Sequence, residues 1–290
     1  MLREMTDDNG KSLFHIPQIA WVTIGTFVLA MASWSGIIWA TVGGHVSWAI
    51  GTVLCAVSIY IAFTPLHDAV HQSISKYKWI NEVIGRICGW SLLATFAPFR
   101  YVHLEHHKHT NDIAKDPDFW SGRGPWFLLP IRWCTQDLHY WYLFAKHRDR
   151  HTKAEVVEVV LTIGIQIGIV VFAGMNGYLK HVLLLWVVPA KMAVAFLAFS
   201  FDYLPHRPYK ISAKENRFRA TCVRPAPLLT PILMYQNYHL VHHLYPAVPF
   251  YRYSRVWFAQ REELLQKGAD VRHFLKRNTA QDIHVAGAMK

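Results

Sequence analysis

Apolar residues gather along this chain in four long runs that are nearly free of charge, at about residues 18–40, 46–66, 155–174 and 181–202. Each run has the length needed to cross a bilayer as a helix, roughly 20 residues. A helix on a soluble core keeps a polar face, and these runs keep none. The pattern predicts an all-α integral membrane protein whose four transmembrane helices form two hairpins. The third run is the most polar at its start, with Glu155 and Glu158 in its first turn. Gln166 and Lys191 fall at similar depth in the third and fourth runs and are predicted to satisfy each other.

The intervening segments read differently. From Lys78, KWINEVIGRICGWSLL puts Ile80, Val83, Ile84, Ile87 and Leu92 mostly on one helical face, with Asn81, Glu82 and Arg86 on the other. That is the pattern of an interfacial amphipathic helix. Residues 203–231 carry Pro205, Pro208, Pro225, Pro227 and Pro231, which predicts a loop or a set of short turns. From Arg255, RVWFAQREELLQKGADVRHFLKR reads as a polar helix broken at Gly268. No linker, low-complexity tract or architectural repeat divides the chain, so residues 1–290 read as one membrane domain.

Charge adds an orientation. Lys and Arg number 30 against 19 Asp and Glu, a formal charge of +11. Two of these cations lie in residues 1–17, twelve in 67–154 and fourteen in 203–290, while the short connections at 41–45 and 175–180 hold only Lys180. The positive-inside bias then puts both termini and both long polar segments on the cytosolic side. The first run reads as a retained span and not a cleaved signal peptide, because acidic residues precede it and it is too long. Cys55, Cys88, Cys134 and Cys222 show no C-x-x-C spacing and are expected to stay as thiols. The positive surface suits anionic lipid or an acidic carrier protein.

Histidine supplies the candidate chemistry. There are 18, and nine of them fall in four places near the predicted cytosolic face: HDAVH (His67, His71), HLEHH (His103, His106, His107), His206 in FDYLPHRP, and HLVHH (His239, His242, His243). Residues three and four apart share one face of a helix, so each box aims its imidazoles at one point. Neutral imidazole is a good ligand for zinc, copper, iron and nickel. One metal ion takes three to six ligands, so nine convergent histidines fit two ions. The isolated His15, His45, His181 and His284 read as surface or interface residues, and His109 as a surface or supporting residue. Asp202 precedes His206 by four. Zinc transport would put ligands at mid-membrane depth, whereas these boxes sit at or beyond the span ends. A structural zinc site is usually a closed set rich in cysteine. A two-iron site open to dioxygen fits better, with a metal transporter or metal-binding regulator as the alternative.

HDAVH, HLEHHKHTND and HLVHH resemble the three histidine boxes of the membrane fatty-acid desaturase and hydroxylase superfamily, over about residues 45–260. FDYLPHRPY and QNYHLVHHLYPAVPFYRY are similar to its bacterial and cyanobacterial β-carotene hydroxylase branch. The resemblance implies a cytosolic helical cap holding a non-haem di-iron site, with dioxygen as co-substrate. It assigns the ligands to His67, His71, His103, His106, His107, His239, His242 and His243, and makes His206 an extra ligand. Some acyl desaturases have an asparagine four residues before that histidine; Asp202 stands here and is expected to hydrogen-bond a ligand histidine. Asp68 and Asp112, with Glu105, Asp116 and Asp118, are further candidates for orienting the imidazoles.

The implied activity is oxidation of lipid C–H bonds. Ring hydroxylation of a β-carotene-type substrate comes first, and fatty-acyl desaturation or hydroxylation second. Trp79, Trp90, Phe96, Phe99, Trp120 and Trp126 either line the substrate path or anchor the protein at the interface. The chain carries no haem motif, dinucleotide fingerprint or iron–sulfur cysteine set. Electrons are therefore expected from a separate donor, such as a ferredoxin or a small cytochrome, docking near Arg148, Arg150 and Lys153. No nucleic-acid partner is implied.

Overall fold

The computed structural model describes residues 12–273. The helices that build the site are, in chain order, α1 (Trp21–Val42), α2 (Trp48–Val70), α3 (Lys78–Ser91), α4 (Phe96–His109), α5 (Leu129–Cys134), α6 (Gln136–Lys146), α7 (Lys153–Met175), α8 (Leu179–His206), α9 (His239–Leu244) and α10 (Tyr253–Gln266). Helices α1, α2, α7 and α8 are long and apolar enough to cross a membrane, and each lies within a few residues of its predicted run.

Local chemistry sets their ends. Ser47 caps α2 by accepting from the Ile50 amide. Thr152 and Glu155 form a reciprocal capping box at the start of α7, which explains a carboxylate in the first turn of an apolar helix. Glu158 meets Arg86 of α3 at 2.7 Å. Helix α8 contains two widened π turns, Leu183–Val187 and Ala198–Tyr203, each ending two residues before a proline, Pro189 or Pro205. A helical proline removes one backbone hydrogen bond and crowds the carbonyl four residues back, and a π turn relieves both. The carbonyl freed at Leu185 accepts the Trp34 indole N–H at 2.9 Å, tying α8 to α1.

Burial separates these helices into two kinds. In its most apolar window α2 is 67% buried, whereas α1 and α7 are each 11% buried. Helix α2 is thus a core element, and α1 and α7 present broad apolar surfaces of the kind lipid covers. The main core joins α2, α3, α4 and α8 through Ile59, Phe63, Leu66, Ile84, Phe96, Phe99, Trp186, Leu197 and Phe201. Gly85 of α3 is needed for close approach, since a Cβ there would overlap the Phe96 ring. A second core surrounds α9 and α10 through Leu240, Val241, Leu244, Tyr253, Val256 and Trp257.

Helix α3 is turned differently from the sequence pattern. Asn81 is buried beside Ile84 and Cys88, while Trp79, Val83 and Ile87 face outward. The reason is a specific bond set: Asn81 accepts from the Ile74 amide and donates to the Ser75 carbonyl, closing the turn after α2. The outward stripe 79, 83, 87 is apolar, as an interfacial helix requires. Residues 207–221 run as turns around one short helix, Ala213–Asn216, and then β1 (Cys222–Val223) pairs in parallel with β2 (Asp270–Val271). Helix α10 ends at Gln266, and Gly268 at φ +85° turns the chain into β2, so the helix does not resume through residue 273. The remainder of that predicted helix, like His284, lies outside the described residues.

Candidate metal centre

Four elements bring the nine box histidines together. His67 lies in the last turn of α2 and His71 caps it. His103, His106 and His107 lie on α4, His206 ends α8, and His239, His242 and His243 lie on α9. All nine are buried or half-buried. The two spacings do what helical geometry predicts, since α4 and α9 each present three imidazoles from one face. The other face of α9, with Leu240, Val241 and Leu244, anchors it in the second core.

The rings sort into two sets. Nitrogens of His67, His71, His103 and His242 lie within 4.8 Å of one another, and so do those of His106, His206, His239 and His243. His107 stands between them, grouped with His242 and His243. In the first set Nε2 contacts run His67–His242 at 3.1 Å and His71–His103 at 2.8 Å, with His107 at 3.2 Å from His103 and 2.8 Å from His242. In the second set they run His206–His239 at 3.0 Å, His239–His243 at 3.1 Å and His106–His243 at 3.2 Å.

The outer nitrogens decide what those contacts mean. His106 Nδ1 meets Asp116 Oδ1 at 2.7 Å, His206 Nδ1 meets Asn111 Oδ1 at 3.2 Å, and His239 Nδ1 meets Gln236 Oε1 at 2.7 Å. His243 Nδ1 meets the Thr110 hydroxyl at 3.3 Å, and that hydroxyl gives its own hydrogen to the His106 carbonyl. Each partner accepts, so each Nδ1 carries the hydrogen and each Nε2 presents a lone pair. With all four rings neutral, four lone pairs facing one another at about 3 Å repel unless a metal ion or a proton lies among them. The donor set therefore fits a metal ion, and the outer acceptors are those that fix imidazole ligands.

Electrostatics agrees. Burial holds His103, His107, His239, His242 and His243 well below the usual histidine range, and neighbouring imidazoles push the same way. Burial, with His106, takes His71 down to about 3. Neutral imidazole is the ligating form. His106 differs: burial pulls it down, but Asp116 and Asp118 outweigh burial and take it up to about 9. The same two carboxylates favour a cation at that ring's inner nitrogen.

The carboxylates expected from sequence divide. Asp116 and Asp118 both reach His106, at 2.7 and 3.4 Å, and Asp116 also accepts from the Asn111 and Asp118 amides. Asp112 instead accepts from the Ala114 and Lys115 amides and is a turn residue. Asp68 accepts from the Thr23 hydroxyl at 2.9 Å and the Phe250 amide at 3.5 Å, tying α1 and the segment before α10 to α2. Glu105 pairs with Lys108, His109 and Arg150 at the surface. Asp202 does not take the place of His206's partner, which is Asn111; it lines a pocket beside the site. Lys191 does not meet Gln166: its ammonium binds both Asp137 oxygens, at 2.8 and 2.6 Å. The Gln166 amide nitrogen is buried without a partner among the described residues. His45 is exposed beside Trp39 and His181 is half-buried beside Trp48, as expected of surface or interface residues.

Two openings flank the histidines. A mainly apolar pocket, walled by Phe63, Leu66, Phe99, Leu197 and Phe201, is also lined by His67, His103, His106 and His239. Of the aromatic residues singled out in the sequence only Phe99 lines it; Phe96 is core, Trp90 stacks on Trp186, and Trp79 and Trp126 are exposed. A wider groove of about 910 Å³ between α4 and α6 carries Lys108, Lys115, Arg123, Lys146 and Arg150 and reaches Asp116. Trp120 lies in this groove, whereas Arg148 and Lys153 do not line it.

Known proteins bear on this geometry. The sequence pattern of the family described as fatty acid desaturase matches residues 43–275. An sn-1 oleoyl-lipid 12-desaturase of Synechocystis sp. is 28% identical over 224 residues, covering 66% of this chain and 61% of its own length. A β-carotene ketolase of Haematococcus lacustris is 27% identical over 210 residues, covering 66% and 56%. A β-carotene ketolase of Paracoccus sp. is 28% identical over 231 residues, covering 78% of each chain. The chain spans about three fifths of the length of the first two of these relatives. With its histidine boxes inside the matched region, the chain belongs to the fatty acid desaturase family.

Proposed function

We propose that this protein is an integral-membrane oxidoreductase that holds two iron ions in its nine-histidine basket and uses dioxygen and external electrons to oxidise C–H bonds of a lipid. The observation that carries this reading is the second histidine set: four rings whose outer nitrogens each meet an oxygen acceptor and whose inner nitrogens face one another, with His106 and His239 lining an apolar pocket. His67, His71, His103, His107 and His242 hold one ion, and His106, His206, His239 and His243 the other. Bound iron supplies the redox chemistry that activates dioxygen. The chain's own residues do the rest. Asp116, Asn111, Gln236 and Thr110 keep the rings oriented, and Phe63, Leu66, Phe99 and Phe201 position the substrate and exclude water. The two apolar pairs, α1–α2 and α7–α8, form the membrane hairpins, and the positive-inside bias puts the histidines and both termini at the cytosolic lip. The basic groove between α4 and α6 suits an acidic electron donor, such as a ferredoxin or small cytochrome, one residue away from His106.

Within this reading the first substrate is a carotenoid ring, supported by FDYLPHRP and by the ketolase relatives. The second is an acyl chain, supported by desaturase relatives at similar identity. Metal transport is disfavoured, because the ligands cluster at helix ends around a pocket that a carrier would not need. Expression under ¹⁸O₂ in a host making β-carotene and oleoyl lipids separates the readings. Ring products carrying ¹⁸O support the first, and a new double bond without ¹⁸O the second. No oxygen-dependent lipid product in either pool contradicts both.

A further inference from the structure

One stretch outside the four long helices presents an apolar tip. From Pro225 to Tyr238 the chain carries no charged residue. Pro227, Leu228, Pro231 and Ile232 are exposed, Leu228 at 90% and Ile232 at 58%. Pro225, Pro227 and Pro231 bring no amide hydrogen. Leu229, Thr230, Leu233, Met234 and Tyr235 give theirs to carbonyls inside the turn. The Thr230 hydroxyl gives its hydrogen to the Ala226 carbonyl and accepts from the Asn237 amide. Backbone arranged this way asks little of water, which is the condition for entering hydrocarbon.

The height of this turn is set by one bond. Tyr60 of α2 donates its hydroxyl hydrogen to the Ile232 carbonyl at 2.8 Å. At 1.5 Å per residue Tyr60 lies about 15 Å along α2 from its Val70 end, well inside a spanning helix. Its ring packs on Phe196 of α8 at 5.1 Å. Val57 and Val53 continue the Tyr60 face of α2 away from the histidines, and both are exposed; Met192 and Phe196 are exposed neighbours on α8. The turn thus extends an apolar surface that two spanning helices already present. We infer that residues 225–234 form a membrane-embedded turn, with Leu228 and Ile232 among the acyl chains of the leaflet on the histidine side. The inference rests on the integral-membrane part of the proposed reading and needs no particular chemistry at the metal centre. Gln236, which meets His239, follows the turn directly, so contact with lipid helps to set the height of α9.

The test measures depth in the full-length protein, reconstituted into phosphatidylcholine vesicles. Cys134, the exposed native thiol, is replaced by Cys134→Ser. Bimane is then attached at Leu228→Cys or Ile232→Cys. Ile165→Cys, on the exposed apolar face of α7, is the lipid reference, and Lys214→Cys, on the exposed side of the short helix Ala213–Asn216, is the water reference. Each label is challenged with doxyl-labelled phosphatidylcholine and with iodide present on both sides of the vesicle. Labels at 228 and 232 are expected to be quenched by doxyl lipid within about twofold of Ile165, and by iodide about tenfold less than Lys214, because an ion does not enter hydrocarbon. Iodide quenching equal to that at Lys214 would place the turn in water and overturn the inference. Quenching by neither agent would mean that protein covers the turn, such as a second copy of this chain, and would overturn it as well. An Ile165 label found in water would remove the spanning reading, and this inference with it. Neither iron nor turnover enters the readout, so loss of the oxidation reading alone leaves the embedded turn standing.

Discussion

The two histidine sets are built from the same residue type at the same spacing, yet they are held differently. In the set of His106, His206, His239 and His243 every outer nitrogen meets an oxygen acceptor. In the other set His242 is held by the Tyr253 hydroxyl at 2.9 Å, while His67 Nδ1 is buried with no partner among the described residues. Outer-shell partners fix tautomer and orientation and raise ligand basicity. The second set is thus preorganised for a cation by neutral acceptors and by the carboxylates of Asp116 and Asp118, and the first leans on packing against Phe63 and Phe99. Similar ligands therefore need not mean similar affinity.

That difference can be broken at its strongest point. His239→Ala removes a ring that touches both His206 and His243. It is expected to halve iron content and reduce product to background, measured by elemental analysis and product chromatography. An orienting contact is the next largest effect. Asp116→Asn keeps the size and one acceptor but removes the charge beside His106. Metal affinity of the second set should fall about 10–100-fold, read by chelator competition, while the first set keeps its iron. Tyr253→Phe deletes only the hydroxyl that meets His242. It should weaken the first set less than Asp116→Asn weakens the second, because a neutral partner is lost and not a charged one. Unmodified protein sharpens the same comparison under chelator, with iron leaving in two phases and the first set emptying first.

Much of this was legible in the sequence, for stated reasons. An apolar run long enough to span is a local property, so all four long helices fall within a few residues of their predicted limits. The histidine spacings are local too, and helical geometry alone puts three rings on one face. Long-range pairings were not legible. Lys191 chose Asp137 of α6 over Gln166 because register between helices is set by packing that no window of sequence displays. Asp68 and Asp112, each close in sequence to a ligand, point to Thr23 and to a turn. Gln236 stands three residues before His239, a spacing that could have revealed it, and Thr110 and Asn111 follow HHKH directly. Tyr253 carried no comparable signal, since only the fold of α10 onto α9 brings it to His242.

The measurement that bears most directly on the central claim is iron per chain with Mössbauer spectroscopy on full-length protein purified in detergent after iron-replete growth. Two irons per chain, as two coupled ferric sites with distinct doublets, are the predicted result. A single metal per chain, or zinc with no iron, would contradict it.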